Sequence, residues 1–188
     1  MHVKTIVTLI VGILIFSTCD TQAMKLEHFH AVESKQTPKR VAHNFLNWYK
    51  DNRENLEKFK LITGKPGDST TAYRVDFQEA EKYLSELKKS GFVSDQYIAS
   101  FRKYFEEGDA NLKKYPQYTG TAMGFGFDLV LKADDYKEIL DHINKRKIIT
   151  KPVDANTVKV YIRFPTVVML LKMTKSGNTW LIDSLDYV

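Results

Sequence analysis

Polar and apolar residues alternate most regularly near the end of the chain. In Thr157-Val-Lys-Val-Tyr-Ile-Arg-Phe164, Val158, Val160, Ile162 and Phe164 share one side of an extended chain, and Lys159, Tyr161 and Arg163 share the other. A period of two held over this length predicts a strand with one buried face. Val167-Val-Met-Leu-Leu-Lys-Met173 and Thr179-Trp-Leu-Ile-Asp183 predict two more strands, joined through Lys175-Ser-Gly-Asn178, a hairpin turn that contains glycine. Ile148 to Val153 predicts a strand leading into them, turned by Asp154-Ala-Asn156. A sheet buried on one face needs a cover, and the helical periodicity lies upstream of it.

Thr37-Pro38 opens the first helix, with threonine as cap and proline at the first helical position. Val41, Phe45, Trp48, Asn52, Leu56 and Phe59 follow at spacings of three and four, widened by Leu46 and Tyr49, and Gly64 is the expected stop. Asp76-Phe-Gln-Glu79 reads as a capping box for a second helix, with Phe77, Ala80, Tyr83, Leu84 and Leu87 inward and Ser90-Gly91 ending it. Ser94 caps a third, whose stripe of Tyr97, Phe101, Tyr104 and Phe105 is expected to end at Gly108. Asp109 to Gly126 predicts a long loop, Phe127-Asp-Leu-Val-Leu131 a short strand or extended segment, and Asp134 to Lys145 a fourth helix with Tyr136, Ile139, Leu140 and Ile143 inward. Helices followed by an antiparallel meander give an α+β pattern.

The first residues read differently from the rest. Met1 to Lys4 is a short basic head, Ile6 to Phe16 is an apolar run, and small or polar residues follow, as in a secretory signal too short to span a bilayer. Two processing routes fit. Phe16-Ser-Thr-Cys19 resembles a bacterial lipobox and would lipidate Cys19, although Thr18 stands where Ala, Gly or Ser normally precedes the cysteine. Thr21-Gln-Ala23 supplies the small residues of an ordinary cleavage site. The expected organisation is a signal over 1–23, a polar tether over 24–36 and one α+β domain over 37–188. The expected location is exported: periplasmic, outer-membrane-associated or secreted. With Cys19 the single cysteine, either route leaves the domain without a disulfide.

Composition narrows the function classes. The chain has 188 residues, 43% hydrophobic and 27% charged, with a net charge of +5, which suits one globular domain. Its densest basic run, Lys145-Arg-Lys147 with Lys151, is short and reads as a solvated face, so no nucleic acid is expected, and a membrane only through an N-terminal lipid anchor. No Gly-x-Ser-x-Gly and no phosphate loop occurs. His28-Phe-His30 lies in the tether without a second ligand pair, and His43 lies beside an apolar stripe, so no catalytic residue, metal or cofactor is assigned. Asp128 stands out because it interrupts an apolar segment, where it must either face water or be paired. Asp183 ends the Trp-Leu-Ile run in the same way. Arg163 and Tyr97 are the expected pocket partners of Asp128. Trp48 joins them as a pocket residue, although it and Tyr49 fall on a core stripe.

Phe45-Leu-Asn-Trp-Tyr49, Ser90-Gly-Phe-Val-Ser-Asp95, Gly126-Phe-Asp-Leu-Val-Leu131 and Gly177-Asn-Thr-Trp-Leu-Ile-Asp183, in this order and spacing, resemble an uncharacterised family of small exported bacterial proteins, often lipoproteins, with a nuclear transport factor 2-like or cystatin-like α+β fold. The resemblance covers Thr37 to Val188, and departs from such folds at the tight joint Phe164-Pro-Thr-Val167. It implies N-terminal helices packed on a curved C-terminal antiparallel sheet, a cone, and no particular activity. The leading expectation is a non-enzymatic binding or interaction module for an unknown small ligand or protein. Its competitors are a small-molecule hydrolase or isomerase with Asp128 as base in a polar-lined cone pocket, and an inhibitor or immunity-like protein.

Overall fold

The terminal meander forms as its alternation predicts. In the computed structural model, which describes residues 36–64, 68 and 70–188, the elements are α1 (Pro38–Leu56), β1 (Ile62–Thr63), β2 (Arg74–Val75), α2 (Phe77–Lys89), α3 (Asp95–Lys114), α4 (Tyr136–Asp141), a 3-10 turn (Ile143–Lys145), and four strands, β3 (Lys147–Pro152), β4 (Thr157–Arg163), β5 (Val168–Ser176) and β6 (Thr179–Tyr187). β3 to β6 form one antiparallel sheet in sequence order, and β1 and β2 pair as a separate small ribbon. The architecture is helices packed against a four-stranded antiparallel sheet. The expected signal, the expected tether up to residue 35, Cys19, His28 and His30 lie outside the described residues.

One face of the large sheet builds the core. Val160, Ile162, Met169, Leu171, Met173 and Ile182 are wholly buried, and their neighbours along each strand point the other way. Each such side chain contributes roughly 1.5–3 kcal/mol relative to exposure. Gly177 adopts a φ of 59° and lets the chain reverse between Ser176 and Thr179, so the last hairpin is tighter than the four-residue turn expected. A bulge follows opposite Lys172 and Met173. It turns Asp183 into an extra, nearly buried residue that accepts a hydrogen bond from the Thr174 hydroxyl. Trp180 is half-buried against the core, and among the described residues it makes no ring pair with the aromatic helices. The outer edge of β6 is covered by Phe92–Ser94: Ile182 N–H donates to Phe92 C=O at 2.8 Å and Ser94 N–H to Ile182 C=O at 2.9 Å.

The helix starts follow their caps. Thr37 accepts from Arg40 N–H, Ser94 from Tyr97 N–H, and Asp76 from the N–H groups of Gln78 and Glu79. Glu79 turns its carboxylate to Lys82, so only half of the expected capping box forms. The ends depart further. α1 stops at Leu56 instead of reaching Gly64, because the residues beyond it pair as the β1–β2 ribbon. α3 runs through Gly108 to Lys114. At Gly108 a Cβ would stand 3.0 Å from the Phe125 ring, so the glycine serves close packing and not termination. The fourth helix shrinks to α4 and the 3-10 turn, and Phe127–Leu131 is a turn, not a strand.

Candidate functional site

Asp128 explains that last departure. Its backbone N–H donates to Ala133 C=O at 3.2 Å, and its Oδ1 accepts from Leu131 N–H at 2.8 Å, so the side chain closes a tight turn. Val130 and Leu131 are thereby driven fully into the core, and Lys132 takes a φ of 50°. An extended strand would have placed Asp128 and Val130 on one face; the carboxylate's bond to its own loop offers the backbone another solution.

Two α1 residues complete the carboxylate's shell. The Tyr49 hydroxyl lies 2.9 Å from Oδ1 and 2.8 Å from Oδ2, and Arg53 Nε donates to Oδ2 at 3.1 Å. Tyr49 and Arg53 are four residues apart and therefore share a helix face. Glu57, one turn further, accepts from the other end of the Arg53 guanidinium, whose carbon lies 3.5 Å from the centre of the Tyr136 ring. The Asp128 side chain is 2% exposed and that of Arg53 17%. A carboxylate is tolerable at that depth because three donors answer it, the Arg53 cation among them.

Four phenols around this charge are held neutral. Burial, with help from Tyr83 and Asp128, pushes the Tyr49 hydroxyl far above its ordinary range. Burial does the same to Tyr83 and Tyr97. Tyr187 is pushed up to about 12 by burial and by the Asp128 charge, and its hydroxyl donates to Leu131 C=O at 2.6 Å. These phenols act as donors and walls, not as bases.

Asp128 and Tyr49 border a cavity of about 620 Å3, walled by Phe59, Tyr73, Tyr83, Phe125 and Phe127, with Glu57 and Lys60 also in its lining. A smaller cavity of about 410 Å3 lies on the other side of Phe127 and Leu129, against Ser100, Phe101, Tyr104 and Lys132. The turn that Asp128 closes is therefore the partition between two apolar cavities.

The expected site residues are dispersed. Asp128 is in the cavity wall. Arg163 is exposed on the opposite face of the sheet from the core, and the arginine that meets Asp128 is Arg53. Tyr97 is buried beside Phe101, with ring centres 5.1 Å apart, and its hydroxyl is unpaired among the described residues. Trp48 is half-buried between Phe45 and Phe92. Neither Tyr97 nor Trp48 borders the Asp128 cavity. His43 is held by Asn144, and among the described residues no cluster of three or more His, Cys, Asp or Glu could hold a metal.

Sequence reasoning missed Tyr49 and Arg53 as partners, although their four-residue spacing was readable. It also missed Asp109, which is 3% exposed on α3. Arg74 Nε and Nη2 donate to its two oxygens at 2.7 and 2.8 Å, Lys113 lies 3.0 Å away, and Val75 N–H donates at 3.3 Å. The signal was present: Phe101, Phe105, Asp109 and Leu112 continue one inward stripe. Compared with family models, with curated proteins and with solved structures, the chain matches none.

Proposed function

We propose that the protein is an exported, non-enzymatic binding module of the cystatin-like or nuclear transport factor 2-like kind, anchored through lipidated Cys19, that takes an apolar or aromatic small molecule into the cavity beside Asp128. The observation that carries this reading is the state of Asp128. Tyr49, Arg53 and Leu131 N–H bring three donor hydrogens to its two oxygens, so most of the carboxylate's accepting capacity is spent on holding the fold together and not on the cavity. What the cavity offers a ligand is aromatic wall, and about 620 Å3 lies within the range of small-molecule sites. A hydrolase or isomerase using Asp128 as base is correspondingly disfavoured.

An inhibitor or immunity-like module is the second reading. It is favoured by Tyr115, Tyr118 and Met123, all exposed on the loop that follows α3.

The cavity is tested by protein-observed NMR with small aromatic fragments. Binding fragments are expected to shift Phe59, Tyr73 and Phe125 and to weaken in Phe125→Ala. Turnover of an ester, amide or phosphoester panel that is lost in Asp128→Asn would establish the enzyme instead. Export is tested by intact mass from the native membrane fraction. Acylated Cys19 at the N-terminus supports the anchor, a chain starting at Met24 removes the anchor but keeps export, and an unprocessed chain removes both.

A further inference from the structure

The outer face of the sheet carries charge for which the fold has no use. Strand register sets Lys151, Lys159 and Lys172 side by side on β3, β4 and β5, and sets Lys147 beside Arg163. They alternate with Val158, Val160, Ile162, Leu171 and Met173, so they point away from the core. All but the half-buried Lys159 are exposed. None of them enters an ion pair among the described residues, where Lys50, Arg53, Arg74, Lys82 and Lys132, for example, each have an acidic partner. Like charges directly opposite on neighbouring strands are destabilising. The nearby acids have other partners: Asp186 on β6 is held by Lys132 at 2.8 Å and feels the Lys172 charge as well, Asp183 accepts from the Thr174 hydroxyl, and Asp154 in the β3–β4 turn accepts from Asn156 N–H.

Between the two cationic rows runs an apolar one. Ile149, Tyr161 and Leu170 are in register across the same three strands. Leu170 is buried yet does not belong to the core cluster, and the Lys151 ammonium lies 5.2 Å from the Tyr161 ring centre. The face thus reads cation, apolar, cation across its width.

We infer that this face docks on a membrane surface of anionic phospholipid. Charge complementarity carries the inference. Phosphate headgroups satisfy a spread of cations that enter no ion pair among the described residues, while lysine stems and the half-buried Ile149 and Tyr161 rest against the interface. Nucleic acid fits less well, because Tyr161 is a single ring and offers no succession of platforms for unpaired bases. Delivery to a membrane in the cell rests on the export reading above; the charge on the sheet does not, nor does it depend on the cavity. A basic face beside a lipid anchor adds a second signal to membrane attachment.

The experiment is vesicle co-sedimentation of the full chain, with phosphatidylcholine alone and with roughly one third phosphatidylglycerol. Binding is expected to be at least about tenfold tighter to the anionic vesicles, with the gain lost in about 0.5 M NaCl. The variant Lys151→Gln/Lys159→Gln/Lys172→Gln should lose most of that gain. Lys82→Gln/Lys89→Gln/Lys103→Gln, the same charge change on α2 and α3, should keep it. Circular dichroism checks that both variants fold; should the sheet variant not fold, Lys159→Gln alone reads the same loss on a smaller scale. The inference is overturned by any of four results: no gain from anionic lipid, a gain indifferent to the sheet substitutions, an equal loss in the helix variant, or tighter binding to duplex DNA than to the vesicles.

Discussion

Asp128 and Asp109 are both buried carboxylates answered by an arginine, yet they occupy their neighbourhoods differently. Asp109 projects from a regular helix and staples it to β2, and its partners Arg74 and Lys113 both reach solvent, with side chains 42% and 59% exposed. Asp128 projects from a turn that it closes itself, and its partners are the phenol and the largely buried guanidinium of α1. A staple can be loosened with water taking its place. The Asp128 shell has little such recourse, because it lies among neutral phenols at a cavity wall. The same residue type with the same ion-pair partner thus holds two elements together in one place and shapes a cavity in the other.

The contrast breaks first at Asp128→Ala. That change strands the Arg53 guanidinium, the Tyr49 hydroxyl and the Leu131 N–H together, so urea unfolding should show a loss of about 3–5 kcal/mol. A loss under about 1 kcal/mol would make Asp128 no different from a surface acid.

Asp109→Asn should cost less, about 1.5–3 kcal/mol, since its charged bonds are replaced by weaker neutral ones at a site water can reach. Its pH dependence sharpens the comparison. The hydrogen-bonded Arg74 holds the Asp109 carboxyl well below its ordinary 3.8, against the opposing effect of burial. A depressed carboxyl gives stability that is complete above the unfolded value and is lost as pH falls toward the folded one. The wild-type advantage over Asp109→Asn should therefore be flat from about pH 5 to 8 and shrink below about pH 4. An advantage that persists undiminished at about pH 2.5 would show that the charge is not what stabilises.

The smallest expected effect belongs to Tyr49→Phe. It removes one donor and leaves Asp128 with Arg53 and Leu131 N–H, for a loss of about 1–2 kcal/mol in urea unfolding. If Tyr49→Phe cost as much as Asp128→Ala, the hydroxyl rather than the ion pair would be the keystone of the turn.

The four strands of the large sheet, the starts of α1, α2 and α3 and the α+β order were legible because each depends on residues close in sequence. Alternation fixes which face of β4 is buried, and Thr37, Asp76 and Ser94 cap helices whose first turns they directly precede. The helix ends were not. Gly108 looks like a stop in the sequence and is a packing notch for Phe125, which lies seventeen positions on in the chain and meets it only after folding. Asp128 was recognisable as an anomaly, but its partner was sought on a strand, at Arg163, when it lay on α1. The inward stripe that contains Asp109 could have been read, had an acid been allowed on it.

The sequence by itself determined where the first three helices start, which residues seek the interior, and that Asp128 must be paired or solvated, because these follow from local sterics and from transfer free energy. Only the tertiary structure decided which groups meet. Tyr49 and Asp128 are seventy-nine positions apart, and no local rule pairs them. The outer face of the sheet makes the same point with charge. Lys151, Lys159 and Lys172 are scattered singly through three strands, and strand register alone sets them in one row. Register is fixed by the apolar residues on the other face, which must be buried whatever repulsion this imposes on the lysines between them.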